Sequence, residues 1–115
     1  MPYIAVTTSL KLSKEQKNKL NAEFGRLIPL IPTKTEAGLL VAFSDDLTMY
    51  RAGEEAPCAF VEIRLFGTSE FEGKKEFTKA VFEMLHKELG LEIPRIYINI
   101  LEFNEWGTRG DYITK

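Results

Sequence analysis

The sequence predicts an α+β fold made of tandem βαβ repeats. The order strand–helix–strand occurs twice along the 115 residues, and the two halves match in length. Two right-handed crossover units of this kind form a four-stranded mixed sheet that carries both helices on one face. The length is that of one domain, residues 1–115, and 44% hydrophobic with 28% charged residues is ordinary for a globular protein with a small core.

The first strand and the first helix are marked by composition and spacing. Residues 3–8 are rich in β-forming side chains and predict a strand. Ser13 followed by Gln16 has the spacing of a capping box, which predicts that a helix begins near Lys14. The apolar residues that follow recur as one face of a helix requires: Leu20, Phe24, Leu27 and Ile28.

One short strand and a long turn complete the first half of the chain. Pro29 and Pro32 end or kink the helix, because proline has no N–H to donate. Residues 39–43 (LLVAF) form a short apolar run, which predicts a buried strand. Residues 44–57 are polar, and we interpret them as a long turn region that has room for a short hairpin.

The second half repeats the pattern of the first. Residues 58–66 (CAFVEIRLF) alternate well enough to predict a strand, and residues 67–73 predict a loop. Residues 74–89 predict a helix that Gly90 caps and Pro94 stops. The apolar face of this helix is predicted to contain Phe77, Val81, either Met84 or Leu85, and Leu89.

The last predicted strand completes a sheet that has one face without helices. Residues 95–101 (RIYINIL) predict a fourth main strand, and residues 102–115 predict a polar tail. With both helices on one face, the other face of the sheet is bare. We expect four apolar residues there: Leu40, Phe60, Ile98 and Ile100. Because a chain of this size would then expose a large apolar patch, we expect a symmetric homo-oligomer that covers the face.

Charge and cysteine content exclude several classes of function. The net charge is -2 and the basic residues are scattered, so no nucleic-acid partner is expected. Cys58 is the only cysteine, which rules out an intrachain disulfide or a zinc cluster and fits a reducing compartment. His86 has no partner at ligand spacing, so we expect neither a metal nor a cofactor. Without an apolar stretch of about 18 residues or a leader, no membrane association is expected and a cytoplasmic location is favoured.

Pro2 is the most informative single residue. Removal of Met1 would turn Pro2 into a secondary amine at the chain terminus, and its ring would hold that amine in one direction. A terminal amine in an apolar pocket, or near a cation such as Lys34, has a lowered pKa and can act as a base at neutral pH. Because proline is common in proteins, a proline at position 2 without any catalytic role is the alternative, and composition alone favours it.

Several short motifs occur in a fixed order along nearly the whole chain: Pro2 behind Met1, Lys34 after the first helix, residues 57–59 (PCA), Gly67, and residues 94–99 (PRIYIN). Taken together, they resemble the macrophage migration inhibitory factor family of the tautomerase superfamily. The resemblance implies a homotrimer of βαβ repeats with active sites at the subunit interfaces, Pro2 as the catalytic base, and no cofactor.

The same resemblance assigns roles to the remaining site residues. Lys34 would bind the carboxylate or the enolate oxygen of an α-keto acid, whereas spacing alone favours a solvated lysine near a helix end. Tyr97 and Asn99 lie two apart on one strand and so face the same side. The family places them in the neighbouring subunit's pocket; the alternative is a purely structural contact between subunits.

The pocket walls are expected to be apolar. Phe66 and Trp106 would contact an aromatic substrate ring, although buried aromatic residues more often belong to a core. The backbone around Leu65 and Phe66 is expected near the Pro2 amine, because the matching strand end of the family lies there.

Three departures from the family pattern alter the expected pocket. Gly38 stands where many members carry an aromatic residue, which removes one wall. Trp106 precedes Gly107, whereas some members carry tryptophan after that glycine, where this chain has Thr108. The Leu65–Phe66 pair replaces a common Ser-Ile pair and makes the site bulkier.

Two functions follow from the resemblance. The first is an isomerase: a keto–enol tautomerase of the phenylpyruvate or dopachrome type that uses Pro2 as base and then acid. The alternative is a cytokine-like signalling protein that binds a protein receptor and retains a vestigial pocket. Decarboxylation and dehalogenation rank behind both, because nothing in the sequence places an arginine in the pocket to activate water. Export without a leader is known in the family and is the alternative to a cytoplasmic location.

Overall fold

The fold is a single four-stranded sheet with two helices and two added hairpins. The computed structural model describes residues 1–115. Short 3-10 turns occupy Ile28–Leu30, Glu36–Gly38 and Ile93–Arg95. The regular elements in chain order are β1 (Pro2–Thr8), α1 (Lys14–Leu27), β2 (Leu40–Ser44), β3 (Tyr50–Arg51), β4 (Glu54–Glu55), β5 (Ala59–Phe66), α2 (Phe71–Leu89), β6 (Ile96–Phe103), β7 (Glu105–Thr108) and β8 (Asp111–Thr114).

The sheet confirms the predicted pair of βαβ repeats. Its strand order is β2-β1-β5-β6. β1 runs parallel to β2, and β5 runs parallel to β6, while the two central strands β1 and β5 are antiparallel to each other. Each helix therefore connects two parallel neighbours, and the sheet is mixed, as expected for an α+β fold of this kind.

The first helix follows the sequence prediction closely. The Gln16 N–H donates to Ser13 Oγ at 3.0 Å, and the Ser13 N–H donates to Gln16 Oε1 at 2.8 Å, which completes the capping box. The helix ends at Leu27 and continues as a 3-10 turn that contains Pro29. All four residues of the predicted apolar face are buried: Leu20, Phe24, Leu27 and Ile28.

The second helix begins earlier than predicted. Its first residue is Phe71 rather than Lys74, so the predicted loop was too long. Gly73, which suggested a loop, lies in the first turn because the chain approaches closely there: a Cβ at this position would lie 2.6 Å from Pro32 Cδ. The helix ends at Leu89 and Gly90 caps it, as predicted. The buried residues of its apolar face are Phe77, Val81, Met84 and Leu85, whereas the predicted Leu89 is only partly buried.

The core lies between the helices and one face of the sheet. Alternate residues of β1 and β5 point into it, and Ile4, Val61 and Ile63 are fully buried. Phe24 of α1 and Phe77 of α2 are also fully buried and pack in the same cluster. Neither of the two helices combines enough length with enough apolar character to cross a membrane.

The opposite face of the sheet carries no second layer within the chain. Leu40 is 65% exposed and Phe60 is half-buried on this open face, as predicted. The prediction for Ile98 and Ile100 was wrong, because both pack against the core on the helix side. The reason is the register of β6: Tyr97 lies opposite Phe60 on the open face, with ring centroids 6.4 Å apart, so the neighbouring positions turn toward the helices.

Two further strand predictions need correction. The strand expected at residues 39–43 is Leu40–Ser44, and it is an edge strand with partly exposed side chains rather than a buried one. The strand expected at residues 95–101 extends to Phe103, because the chain continues to pair with β5 up to that residue.

The predicted polar tail is instead an ordered hairpin. β7 and β8 pair through Trp106 and Ile113, and the two-residue turn at Arg109 and Gly110 has positive φ at both positions, 53° and 78°. This is the type I′ geometry that favours tight hairpins. The short hairpin of β3 and β4, predicted within the long turn, is confirmed. The C-terminal hairpin returns Lys115 to the end of β6.

Candidate active site at the start of the first strand

A buried cation lies beside the start of β1. Pro2 is buried and pairs with Leu65 near the end of β5. The Lys34 side chain reaches the same strand end, where its Nζ donates to the Phe66 carbonyl oxygen at 2.8 Å. Lys34 is only 8% exposed. The chain start, the lysine and the end of β5 therefore lie close together.

The backbone before Lys34 is held in an unusual conformation. Thr33 has a φ of 70°, which is rare for a β-branched residue. The Lys34 N–H donates to the carbonyl oxygen of the fully buried Ile31 at 3.1 Å, which fixes this turn. Residues held in sparsely populated conformations often occur at functional sites. Here the turn directs the lysine inward rather than toward solvent.

The electrostatics of the site favour neutral amines. Burial, together with the charges of Lys34 and Lys115, lowers the pKa of the chain-terminal amine at Met1 below its ordinary value. Burial also lowers the pKa of Lys34, with a further contribution from Lys115, and Glu102 opposes this shift. Two cations near a partly desolvated amine disfavour its protonated form, which is the condition for a base that works near neutral pH.

Aromatic side chains surround the end of β5. The Phe66 and Trp106 ring centroids lie 6.2 Å apart, and Trp106 lies 6.3 Å from Phe103. Phe66 is 7% exposed, because Trp106 covers it from the C-terminal hairpin. A cavity of about 580 Å³ on the open face borders Trp106 and Phe103. Phe66 and Trp106 thus come together as expected for an apolar wall.

Leu65 and Gly38 do not contribute side chains to a pocket wall. The Leu65 side chain is fully buried in the core, so only its backbone faces Pro2. Gly38 is exposed beside the chain terminus, where an added Cβ would lie 3.5 Å from Met1 Cα, an ordinary contact distance. The absence of an aromatic side chain at Gly38 leaves this flank of the terminal amine open.

Tyr97 and Asn99 do not reach this site within one chain. Both lie on the open face of the edge strand β6, and both are exposed. Leu65 pairs with Glu102, so Asn99 and Tyr97 lie about 10 Å and about 16 Å further along the strand from the level of Pro2, at ~3.3 Å per residue. The structure therefore separates the predicted residues into two groups.

Two charged residues near the site were missed in the sequence analysis. The Glu102 carboxylate accepts from Lys74 Nζ and from the Ser69 N–H, each at 2.6 Å. The Lys115 Nζ lies 5.6 Å from the Phe66 ring centroid. Both residues were assigned to a polar tail, and recognition of the turn at Arg109 and Gly110 could have placed Lys115 near the sheet.

The remaining chemically reactive side chains are isolated. Nowhere in the structure do three His, Cys, Asp or Glu side chains group closely enough to hold a metal ion. His86 Nδ1 lies 2.8 Å from the Leu91 carbonyl oxygen, to which it donates, and Cys58 is buried as a free thiol. Their contacts are those of structural residues.

The fold is a mixed sheet of two βαβ repeats, with a proline at the start of a central strand and a buried lysine beside it. The sequence profile of the macrophage migration inhibitory factor (MIF) family matches residues 1–113. The chain belongs to the MIF family. No curated protein matches it in a search of sequences.

Several solved structures share the fold over nearly their entire length. MIF2 from Leishmania major is 26% identical with a TM-score of 0.91, and the match covers 98% of this chain and 97% of that chain. The MIF-like protein of Entamoeba histolytica is 18% identical with a TM-score of 0.86, covering 97% and 98%. The structure of Pt0534 inactivated by 2-oxo-3-pentynoate is 17% identical with a TM-score of 0.84, covering 94% and 93%.

Proposed function

We propose that this protein is a keto–enol tautomerase that acts on an enolisable 2-oxo acid such as phenylpyruvate. Pro2, freed by removal of Met1, is the general base and then the general acid. The observation that carries this function is the buried Lys34, whose ammonium group lies on the Phe66 carbonyl beside the start of β1. A cation in that position lowers the pKa of the terminal amine and can also hold an anionic substrate.

The reaction moves one proton and shifts one double bond, and the carbon skeleton of the substrate stays intact. The neutral Pro2 amine takes a proton from C3 of the 2-oxo acid, and the C–H electron pair forms the C2–C3 double bond while the carbonyl electrons move to the C2 oxygen. Lys34 stabilises the negative charge that develops there. The resulting prolyl ammonium then gives its proton to that oxygen, which yields the enol and restores the amine.

Removal of Met1 is a requirement of this mechanism. While Met1 is present, the Pro2 nitrogen belongs to a peptide bond, whose resonance leaves it without a basic lone pair. The amine of Met1 is only partly buried, whereas Pro2 is buried. Loss of Met1 therefore creates the base and places the chain-terminal amine at the first residue of β1.

A covalent probe can identify the reactive amine. Pt0534 is inactivated by 2-oxo-3-pentynoate, itself a 2-oxo acid. A neutral Pro2 amine would add to the distal alkyne carbon, and its proton would move to the adjacent carbon, so the adduct keeps every atom of the reagent. We expect peptide mapping to find the adduct at Pro2 together with loss of activity. Protein that retains Met1 is the control, and an adduct found only on lysine side chains would contradict the assignment.

The site is proposed to be completed by a second copy of the chain. The open face has no cover within one chain, and Tyr97 and Asn99 lie too far along β6 to reach their own Pro2. In the proposed homotrimer, Tyr97 and Asn99 of the neighbouring subunit enter the pocket, where Asn99 donates a hydrogen bond to the substrate.

A charge on the open face tests this assembly. Leu101 is 45% exposed there. We expect Leu101→Asp to convert a trimer into monomers, because an apolar contact side chain is replaced by a carboxylate that must be desolvated in the interface. Activity should fall with the assembly, as measured by sedimentation and turnover on the same sample. A monomeric variant with the activity of the parent would contradict an intersubunit site.

The dependence of turnover on pH follows from the environment of the chain start, which lowers the pKa of the Met1 amine and of Lys34 and should act in the same way on the freed Pro2 amine. The amine must be neutral and Lys34 must be charged, so kcat/KM rises through the pKa of the amine and falls through that of Lys34. We expect the acid limb below about 8 and the alkaline limb below about 10.5, the ordinary values of the two groups. Initial rates measured from about pH 5 to about pH 11 would show this. An acid limb at or above the ordinary amine value would contradict the proposed environment.

A further inference from the structure

The C-terminal hairpin delivers a second lysine to the site. The Glu105–Thr114 pair closes the ladder of β7 and β8, and the next residue, Lys115, donates its N–H to the Asn104 carbonyl oxygen at 2.8 Å. Lys115 therefore lies beside the end of β6, where Phe103 pairs with Phe66 of the neighbouring strand. Its position depends on backbone pairing rather than on a flexible tail.

The lysine side chain occupies space that a glycine leaves free. Gly67 follows β5 directly and has a φ of 86°, and its N–H donates to the Phe103 carbonyl oxygen at 2.7 Å. A Cβ at Gly67 would lie 2.8 Å from Lys115 Cε. The lysine thus extends across Gly67 and brings its Nζ within 5.6 Å of the Phe66 ring centroid, which is inside the range of a cation–π contact.

The two lysines contact the same residue from different sides. Lys34 lies on the carbonyl oxygen of Phe66, and Lys115 lies over its ring. Neither lysine takes part in an ion pair. The nearest acidic group identified at the site, Glu102, is held by Lys74 Nζ at 2.6 Å. The site therefore carries two cations whose charges lack a paired carboxylate within the chain.

We propose that Lys115 is a second carboxylate-binding residue of this site, and that the preferred substrates are 2-oxo acids that carry a further anionic group. Lys34 binds one carboxylate or the developing enolate oxygen, and Lys115 binds the second anionic group. Because this role rests on the proposed tautomerase function, substrate preference is best tested by binding, separately from turnover.

The charges of the free site support a dianionic ligand. The positive charge of Lys115 contributes to the lowered pKa of both Lys34 and the chain-terminal amine at Met1. A ligand with one carboxylate compensates one cation and leaves the other unpaired. A ligand with two anionic groups compensates both, and complementary charge favours it over a neutral or singly charged analogue. Lys115 is an exposed residue, as a site for a soluble ligand requires.

The test compares two matched acids that bind without reacting. Phenylglyoxylate and 4-carboxyphenylglyoxylate are 2-oxo acids without a hydrogen on the carbon next to the keto group, so neither can enolise. Their Kd values would be measured by calorimetry for the full-length chain lacking Met1, and for its Lys115→Gln and Lys115→Arg variants. Lys79→Gln is the matched control, because Lys79 is exposed on α2 and makes no ion pair.

We expect the parent protein to bind the diacid about tenfold more tightly than the monoacid. Lys115→Gln should remove most of this preference and leave the Kd of the monoacid nearly unchanged, while Lys115→Arg and Lys79→Gln should keep it. A purely structural Lys115 would alter thermal stability and not the ratio of the two Kd values. An unchanged ratio in Lys115→Gln, an equal loss for both acids, or no binding of either acid would overturn the proposal.

Failure of the proposed enzyme activity would look different. The protein could bind the diacid preferentially through Lys115 and yet fail to interconvert the keto and enol forms of phenylpyruvate or its 4-carboxy analogue. That result would support the second anion site and contradict the tautomerase function. If the protein interconverts both compounds and Lys115→Gln does not change the rates, the tautomerase function is supported and the second anion site is contradicted.

Discussion

Replacement of Pro2 by glycine is expected to lower kcat/KM for phenylpyruvate about 100-fold, within the range that a positioned general base contributes. Glycine also provides a terminal amine, so a residual rate should remain. What is lost is the ring, which holds the amine in one direction beside Lys34. Initial rates for the parent and for Pro2→Gly, both verified by mass to lack Met1, give the measurement.

Two controls separate chemistry from folding in this comparison. Pro57→Gly replaces an exposed proline that precedes β5 and should leave the rate unchanged. Protein that retains Met1 should be less active than Pro2→Gly, because its Pro2 nitrogen is part of a peptide bond. If Pro2→Gly turns over phenylpyruvate as fast as the parent, with both folded, Pro2 is not the base.

Replacement of Lys34 by methionine is expected to lower kcat/KM by about 100- to 1000-fold, the effect typical of losing one group that stabilises developing negative charge. Methionine is similar in length and apolar, so the site keeps its shape. The Nζ that lies 2.8 Å from the Phe66 oxygen is lost, and with it the cation that binds the substrate. Lys79→Met, on the exposed surface of α2, is the matched control.

The stability of Lys34→Met distinguishes a functional from a structural lysine. Methionine removes the desolvation of a buried charge but leaves the Phe66 carbonyl without its donor, a loss of about 1 kcal/mol. We expect a net change in the free energy of unfolding within about 1 kcal/mol. A loss of activity that merely follows a large loss of stability would contradict the catalytic role.

The pH dependence of stability provides a second readout for Lys34. Its pKa is lowered in the folded state, so between that pKa and the ordinary lysine value the unfolded chain binds more protons than the folded one. Stability contributed through Lys34 therefore rises with pH across this interval. Denaturant unfolding of the parent at several alkaline pH values should show the rise, and Lys34→Met should lack it.

Local sequence signals predicted the helices and the repeat, because their causes lie within a few residues. The capping box at Ser13 and Gln16 fixes the start of α1, and the spacing of apolar residues fixes its buried face. The start of α2 was misjudged, because Gly73 serves a close contact with Pro32 that is distant in sequence. Proximity of this kind leaves no local pattern.

The face of the sheet to which the β6 side chains point proved harder to predict than the position of the strand in the sequence. In β6, apolar and polar residues alternate in a way that fits either orientation, and pairing with β5 decides that Ile98 and Ile100 face the helices while Tyr97 meets Phe60. The alternation shows that Ile98 and Ile100 share a face, but composition alone does not say which face of the sheet the helices cover.

The candidate site was predictable only where the family pattern applies. Pro2, Lys34 and Phe66 meet as the resemblance implied, although they are far apart in sequence. Lys115 lies at the opposite end of the chain from Pro2, and only the turn at residues 109–110 brings it back to the sheet. Its role was invisible because no pattern within the tail relates it to the site.

The central claim is that a freed Pro2 amine beside Lys34 catalyses enolisation. The most direct test is the intact mass of the protein combined with tautomerisation of phenylpyruvate and its 4-carboxy analogue on the same sample. We expect a mass that lacks Met1 and a clear rate with at least one compound. A protein that lacks Met1, is folded and assembled, and shows no rate with either compound would contradict the claim.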